Sequence, residues 1–355
     1  MKSRLRNGIA LSIIPQIILV KWLGTYPDAI EKYYSNGIYP FISKFFRILF
    51  GWIPFSVGDI IYFILIFLAL RYLLLNRKRI RYQPKAFLRN VVMVLSVAYF
   101  TFHLLWGLNY YRQPIFQKME LAETHTNQEL LSFVNRLIIK TNTIQFKITA
   151  DSTKAVKIPY TQKEIFEKTL QGYKNLENQF PFLGYERPSI KKSLFSTVLS
   201  YMGYGGYLNP FTLEGQVNAK LPKYRFPVVS GHEIGHQLGY SAEDETNLIG
   251  YMVTANNKDI YFKYAAYSYA LRYCLADIQR RDEAVFNELY AKLNVGIKEN
   301  YKEMSSFWMA YENPMEPLFK SVFNTFLKAN NQKEGIKSYN SVVSLLVTYH
   351  EKHPL

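Results

Sequence analysis

The sequence predicts a mainly helical protein with a small β-sheet, preceded by three transmembrane helices. Three apolar stretches within the first 109 residues approach the length of a membrane span. After Pro227 the apolar residues follow a helical period to the end of the chain, whereas 193–220 mixes β-branched and aromatic residues with Gly and Pro, as short strands do. We therefore expect a membrane anchor, 1–109, and one globular domain, 110–355.

The three predicted spans are 8–23, 57–75 and 87–108. The first is the weakest, because Pro15 and Lys21 interrupt it, and the basic residues before it also suit a signal peptide. The bulky segment 22–27 lacks a small-residue cleavage site, which favours a retained anchor. Between the first two spans, the aromatic and amphipathic segment 38–55 is suited to the membrane interface.

The distribution of charge sets the expected topology. The chain carries a formal net charge of +16, and its densest basic run, 77–89, lies between the second and third spans. Such runs stay on the cytoplasmic side and meet anionic lipid, so we expect the N-terminus inside and the domain from Tyr110 onward outside. With no nucleic-acid-binding motif beside the basic run, membrane lipid is the expected partner, and nucleic acid is not.

The globular part opens with two amphipathic helices. Thr126 with Glu129 and Thr161 with Glu164 have the spacing of capping boxes, in which the two residues satisfy each other's backbone donors. The single cysteine, Cys274, excludes an intrachain disulfide and is expected to fill the core.

The segment that carries chemistry reads HEIGH, from His232 to His236. Histidines four residues apart lie on the same face of a helix and can hold one Zn²⁺. Glu233 then projects beside the metal, where it can act as general base toward a water molecule whose pKa the ion lowers. Gly239 is placed to end this helix in a left-handed cap.

A catalytic zinc site needs a third protein ligand and an open position. Glu243 is the first choice and Glu245 the rival, since both open the next helix after a tight turn. Asn247 favours Glu243, because four residues further on it can hydrogen-bond a ligating histidine. Acidic residues in a first turn also complement the helix dipole, so each has an alternative explanation.

At these residues the sequence resembles the gluzincin kind of zincin metallopeptidase, in which a glutamate on the helix after HExxH binds zinc. Here the spacer after His236 is unusually short, and Thr246 replaces a small residue, so Glu243 and Glu245 both stay open. Over nearly the whole chain, the sequence is similar to an uncharacterised family of three-span bacterial membrane proteins, domain of unknown function 3810. The resemblance rests on NPFTLEGQVN, on EDETN after the HEIGH helix and on LKANNQ with GIKSY.

The resemblance implies a zincin-like domain outside the bacterial cytoplasmic membrane. It also implies an edge strand upstream of the HEIGH helix that pairs with an extended peptide substrate, for which 215–221 is in the right place. The strand residues concerned are Gly215, Gln216, Val217 and Asn218. A transition-state oxyanion needs a donor opposite the metal, and Tyr339 is one candidate.

We therefore expect a membrane-anchored zinc-dependent peptidase that hydrolyses peptide bonds of a peptide or protein on the extracytoplasmic side. Two other classes remain: a catalytically inactive zinc-binding sensor, and an envelope interaction protein in which the motif is incidental. Intact Glu233 favours the enzyme, because holding zinc does not require it.

Overall fold

Helices predominate in the computed structural model, which describes residues 3–333, 335 and 341–355. With one small sheet beside them, they confirm the predicted mainly helical architecture. The helices are α1 (Ser3–Leu11), α2 (Ile13–Leu23), α3 (Pro27–Ala29), α4 (Tyr39–Phe50), α5 (Val57–Leu75), α6 (Arg77–Tyr82), α7 (Pro84–Leu105), α8 (Ile115–Lys118), α9 (Asn127–Thr149), α10 (Gln162–Glu177), α11 (Ser196–Met202), α12 (Phe226–Gln237), α13 (Glu243–Ala255), α14 (Ile260–Arg281), α15 (Glu283–Ala291), α16 (Val295–Met309), α17 (Glu316–Ala329) and α18 (Val342–Lys352). The strands are β1 (Ile190–Lys192), β2 (Gly206–Leu208) and β3 (Gly215–Val217); a π-helical stretch occupies Ile30–Ile38, and 3-10 turns occupy Gly107–Tyr111, Pro181–Leu183 and Lys223–Arg225.

Among the described residues, two helices are long and apolar enough to cross a membrane, namely α5 with 19 residues and α7 with 22. α5 has the bounds of the predicted span 57–75, and the side chain of Ser56 caps it by accepting the backbone N–H of Asp59. α7 begins and ends three residues earlier than the predicted span 87–108. Pro84 starts it, since proline suits the first turn of a helix.

In the described part of the chain, a third span exists only if a bent pair of helical segments counts as one. Arg4–Leu23, which includes the predicted span 8–23, meets Pro27–Phe50 at an angle of 95°. Gly24 lies at the bend, where a Cβ atom would come within 2.3 Å of the ring of Tyr111. The stretch after the first predicted span is therefore largely helical and runs roughly at a right angle to it.

The sheet has the order β1-β3-β2, with β1 parallel and β2 antiparallel to the central strand β3. The expectation that 215–218 forms an edge strand is therefore wrong. Two partners flank Gly215, Gln216 and Val217, and Asn218 follows the strand with its backbone N–H bonded to Gly205. β2 is one of the two edge strands, and it packs against α12.

Buried ion pairing fixes the start of α5 to this sheet. The carboxylate of Glu214 accepts the backbone N–H groups of Val57 (3.2 Å) and Gly58 (2.6 Å). The ammonium group of Lys191, on β1, pairs with the same carboxylate, and both side chains are almost fully buried. The apolar helix α5 is thus held to the domain by charged hydrogen bonds at its first turn.

The main core packs around α13 and α14 and includes Cys274, which is fully buried, as expected. Both predicted capping boxes are confirmed, at the start of α9 (Thr126, Glu129) and of α10 (Thr161, Glu164). These helices pack against α14 and α13 respectively.

Candidate metal centre

Two tightly packed helices, α12 and α13, carry the candidate ligands. A Cβ atom at Gly250 would lie 2.6 Å from the carbonyl oxygen of Val228, and one at Gly231 would lie 3.1 Å from Gly250 Cα. Glycine at these two positions therefore lets the helix backbones approach closely. Gly239 turns the chain between them with φ of +85°, which confirms the predicted left-handed cap.

Three of the predicted residues converge at the start of α13. Ligand atoms of His232, His236 and Glu243 all lie within 4.8 Å of one another. Glu243 Oε2 is 3.3 Å from His232 Nε2 and 3.7 Å from His236 Nε2. Tetrahedral zinc at 2.0–2.1 Å from each ligand separates the ligand atoms by roughly 3.4 Å, so the two distances from Glu243 suit one such ion.

The Nδ1 atom of each imidazole already has a hydrogen-bond partner. His232 Nδ1 lies 3.0 Å from Asn247 Oδ1, and His236 Nδ1 lies 2.8 Å from the carbonyl oxygen of Tyr240. Both partners are oxygens that only accept, so each Nδ1 donates a proton, and Nε2 is the nitrogen of each imidazole that faces Glu243. Asn247 thus takes the supporting place predicted for it, and Tyr240 is a partner that the sequence did not reveal.

Glu233 lies beside these ligands and against the edge strand. A Cβ atom at Gly206, on β2, would come within 2.4 Å of Glu233 Oε1, so the strand passes directly over the carboxyl group. The other carboxyl oxygen, Oε2, is buried without a hydrogen-bond partner among the described residues. A buried carboxyl oxygen without a partner needs one from a ligand or water.

Burial and mutual charge shift the pKa values at the site. Burial raises the pKa of Glu233 to about 8. Burial also lowers the pKa of His232, whereas the Glu243 carboxylate overcomes the burial of His236 and raises its pKa to about 9. Despite its own burial, Glu243 has a pKa well below the usual range, because both imidazoles lie beside it. The metal-free site therefore already favours an anion at Glu243 and a cation next to it.

Two cavities meet at His232 and Glu233. The larger, of about 330 Å³, extends past β2 toward Arg225, Tyr269 and Trp308. The smaller, of about 190 Å³, also includes His236 and Glu243 and is walled by aromatic residues of α7, α17 and the segments next to them. The aromatic residues that line it are Phe102, Trp106, Tyr110, Phe323 and Phe326. The candidate ligands are thus accessible from a cleft rather than enclosed in the core.

Side chains from the N-terminal part hold the end of α12. Tyr39 and Ser43 donate to the carbonyl oxygen of Gln237 at 2.8 and 2.9 Å, and Trp106 Nε1 donates to that of His236 at 3.1 Å. Arg112 Nη1 donates to the carbonyl oxygen of Gly239 at 3.0 Å. The carbonyl groups at the end of a helix lack the usual donors of the next turn, so these side chains cap the ligand-bearing helix. The contacts cross the boundary predicted at 109/110.

The remaining predicted site residues lie elsewhere. Glu245, the rival ligand, accepts the backbone N–H of Ile115 at 2.7 Å, away from the imidazoles. Burial raises its pKa to about 8. Tyr339, the predicted oxyanion donor, falls outside the described residues. Of the residues lining the cleft, Tyr204, Gly206 and Arg225 carry no local signal in the sequence, because chain folding alone brings them to the site.

A family model described as "Protein of unknown function (DUF3810)" matches residues 34–347. No curated protein matches the chain, and no solved structure does. The matched range runs from the π-helical stretch into α18 and includes every residue of the candidate metal centre. The chain therefore belongs to this family of proteins of unknown function.

Proposed function

We propose that the protein is a membrane-anchored, zinc-dependent peptidase with a zincin-like domain on the extracytoplasmic side of the bacterial cytoplasmic membrane. The observation that carries the proposal is the convergence of His232, His236 and Glu243, whose ligand atoms lie within 4.8 Å of one another beside an open cleft. A three-residue ligand set that leaves the fourth position to a small molecule is typical of catalytic rather than structural zinc.

Zn²⁺ suits this donor set. Two imidazole nitrogens and one carboxylate are common zinc ligands, and the hydrogen bonds at both Nδ1 atoms orient the imidazoles for an ion at Nε2. Bound zinc polarises a carbonyl group and makes water a better acid. Glu243 supplies the negative charge that a dication needs, while Glu245 makes its hydrogen bond elsewhere.

Glu233 has the position and the environment of a general base. Its carboxyl group follows the first ligand on α12, and one of its oxygens has no partner among the described residues. A carboxylate next to a metal-bound water can take a proton from that water and return it to a leaving amine. Glu233 is therefore assigned the proton transfers in the proposed hydrolysis.

The edge strand β2 offers a place for the substrate backbone. It lies over Glu233, and its residues Gly206 and Leu208 line the smaller cavity together with the metal ligands. An extended peptide that pairs with this edge would add a strand to the sheet, and its backbone would then lie next to the metal ligands. β2 therefore replaces the segment 215–218 as the proposed substrate strand.

The test is zinc stoichiometry, measured by elemental analysis on the full-length protein purified in detergent. We expect one zinc ion per chain in the wild type and in Glu233→Gln, and loss of zinc in His236→Ala. Glu243→Gln and Glu245→Gln form a matched pair, because both side chains are buried and two positions apart. Only Glu243→Gln is expected to weaken zinc binding.

Peptide hydrolysis is then measured on a mixed library of unstructured peptides. Activity of the zinc-loaded wild type that disappears in Glu233→Gln supports the peptidase. A folded wild type that takes up no zinc overturns the proposal. Zinc binding without hydrolysis of any peptide leaves a zinc-binding sensor as the better description.

A further inference from the structure

The larger cavity at the candidate site contains a cation that the proposed hydrolysis does not use. His232 and Glu233 line one part of this space of about 330 Å³, and Arg225 lines another. The guanidinium group of Arg225 lies 4.4 Å from the centre of the Tyr269 ring. Stacking on an aromatic face fixes the plane of the guanidinium and leaves its edge free to bind.

Two donors of Arg225 have no acceptor in the described part of the chain. Nε and Nη1 are both buried, and neither has a hydrogen-bond partner among the described residues. The other cation of this cavity differs, because Lys320 pairs with Glu316 at 2.6 Å. A buried N–H group without an acceptor is destabilising, and a carboxylate is the acceptor that a guanidinium binds most strongly.

The position of Arg225 on the chain sets its distance from the metal ligands. The residue has helical backbone angles, φ −88° and ψ −23°, and leads directly into α12. His232 follows seven residues later, on the same face and about 10 Å along the helix axis. An extended peptide covers that distance in roughly three residues.

We propose that Arg225 binds a carboxylate of the peptide substrate, about three residues from the bond at the metal. The inference rests on the proposed peptidase function and names its substrate class: peptides with a carboxylate at this spacing. The carboxylate belongs either to the C-terminus of the substrate or to an acidic side chain. Both place the same two oxygens against the guanidinium, and the probes below distinguish them.

The experiment uses hydroxamate probes, because a hydroxamate binds zinc and needs no turnover. A succinyl hydroxamate is extended by one, two or three alanines and ends in a free carboxylate. Matched probes end in a carboxamide, and a third set has a glutamate before the carboxamide. Affinities are measured by calorimetry on the zinc-loaded full-length protein in detergent. The variants are Arg225→Gln, Arg225→Lys and the cavity control Lys320→Gln.

We expect one probe length to bind the wild type best and its carboxylate form to bind about 10- to 100-fold more tightly than its carboxamide form. Arg225→Gln removes this preference while it keeps one zinc per chain, and Lys320→Gln retains it. Arg225→Lys recovers part of it, since an ammonium keeps the charge but not the two-point geometry. The glutamate-containing set shows which kind of carboxylate is preferred.

Equal affinity of the carboxylate and carboxamide probes for the wild type overturns the inference while the proposed peptidase stands. A preference that persists in Arg225→Gln overturns it too, since another group then binds the carboxylate. Failure of every hydroxamate to bind zinc-loaded protein counts against the proposed function itself, and the inference fails with it.

Discussion

Removal of the hydrogen bond between Asn247 and His232 is expected to weaken zinc binding without removing a ligand. Asn247 Oδ1 lies 3.0 Å from His232 Nδ1, and both residues are largely buried. Asn247→Ala leaves Nδ1 without its acceptor, so the imidazole no longer favours the tautomer with a lone pair on Nε2. Loss of such a supporting partner typically lowers metal affinity 10- to 100-fold, which corresponds to about 1.4–2.8 kcal/mol.

The assay is a competition for zinc between the full-length protein and a fluorescent chelator of known affinity. Asn247→Asp keeps the acceptor and is expected to bind zinc at least as tightly as the wild type. Asn175→Ala removes an exposed amide that bonds to the carbonyl oxygen of Asn256 and serves as the control. A zinc affinity of Asn247→Ala within twofold of the wild type would refute the assigned role.

Three further predictions concern stability, measured by thermal unfolding in detergent. Lys191→Met leaves the buried Glu214 carboxylate without its cation and is expected to destabilise the protein by about 3–5 kcal/mol. An unchanged melting temperature would contradict the stabilising role of the ion pair. Burial lowers the pKa of His350 from 6.5 to about 4. Between pH 4 and 6.5 this histidine is therefore protonated in the unfolded chain and neutral in the folded protein. The unfolding free energy therefore falls by up to about 3 kcal/mol as pH drops from 6.5 to 4, and His350→Gln should flatten this fall. Gly206→Ala places a Cβ atom 2.4 Å from the carboxyl group of the proposed base and 2.5 Å from a backbone oxygen, for an expected loss of about 1–3 kcal/mol. Gly205→Ala is its control, because there the nearest atoms are 3.7 Å away.

Local patterns in the sequence predicted helix bounds, helix caps and side chains that come together within two consecutive helices. The bounds of α5 follow from the apolar run 60–70 and the cap at Ser56, and the left-handed cap follows from Gly239. The side-chain cluster of His232, His236 and Glu243 was predictable too. Two ligands lie one helical turn apart, and a short turn leads from them to the third.

Long-range pairing was not predictable in the same way. The segment 215–218 has the composition of a strand, but composition does not tell how many partners a strand has. β1, about 25 residues earlier, pairs with the side of β3 that was expected to be free for a substrate. The capping of α12 by Tyr39 and Trp106 likewise joins residues far apart in the sequence, and no helical or strand period marks it.

The hydrogen bond from Trp106 to His236 also limits where the protein can act. Trp106 directly follows α7, one of the two helices apolar enough to cross a membrane. If α7 crosses it, the candidate ligand His236 is held next to the end of that helix, because its carbonyl oxygen accepts the N–H of Trp106 at 3.1 Å. The site then operates at the height of the lipid head groups. Proteins anchored in the same bilayer can then reach the site readily. A soluble protein reaches it only if an unfolded segment extends to the membrane surface.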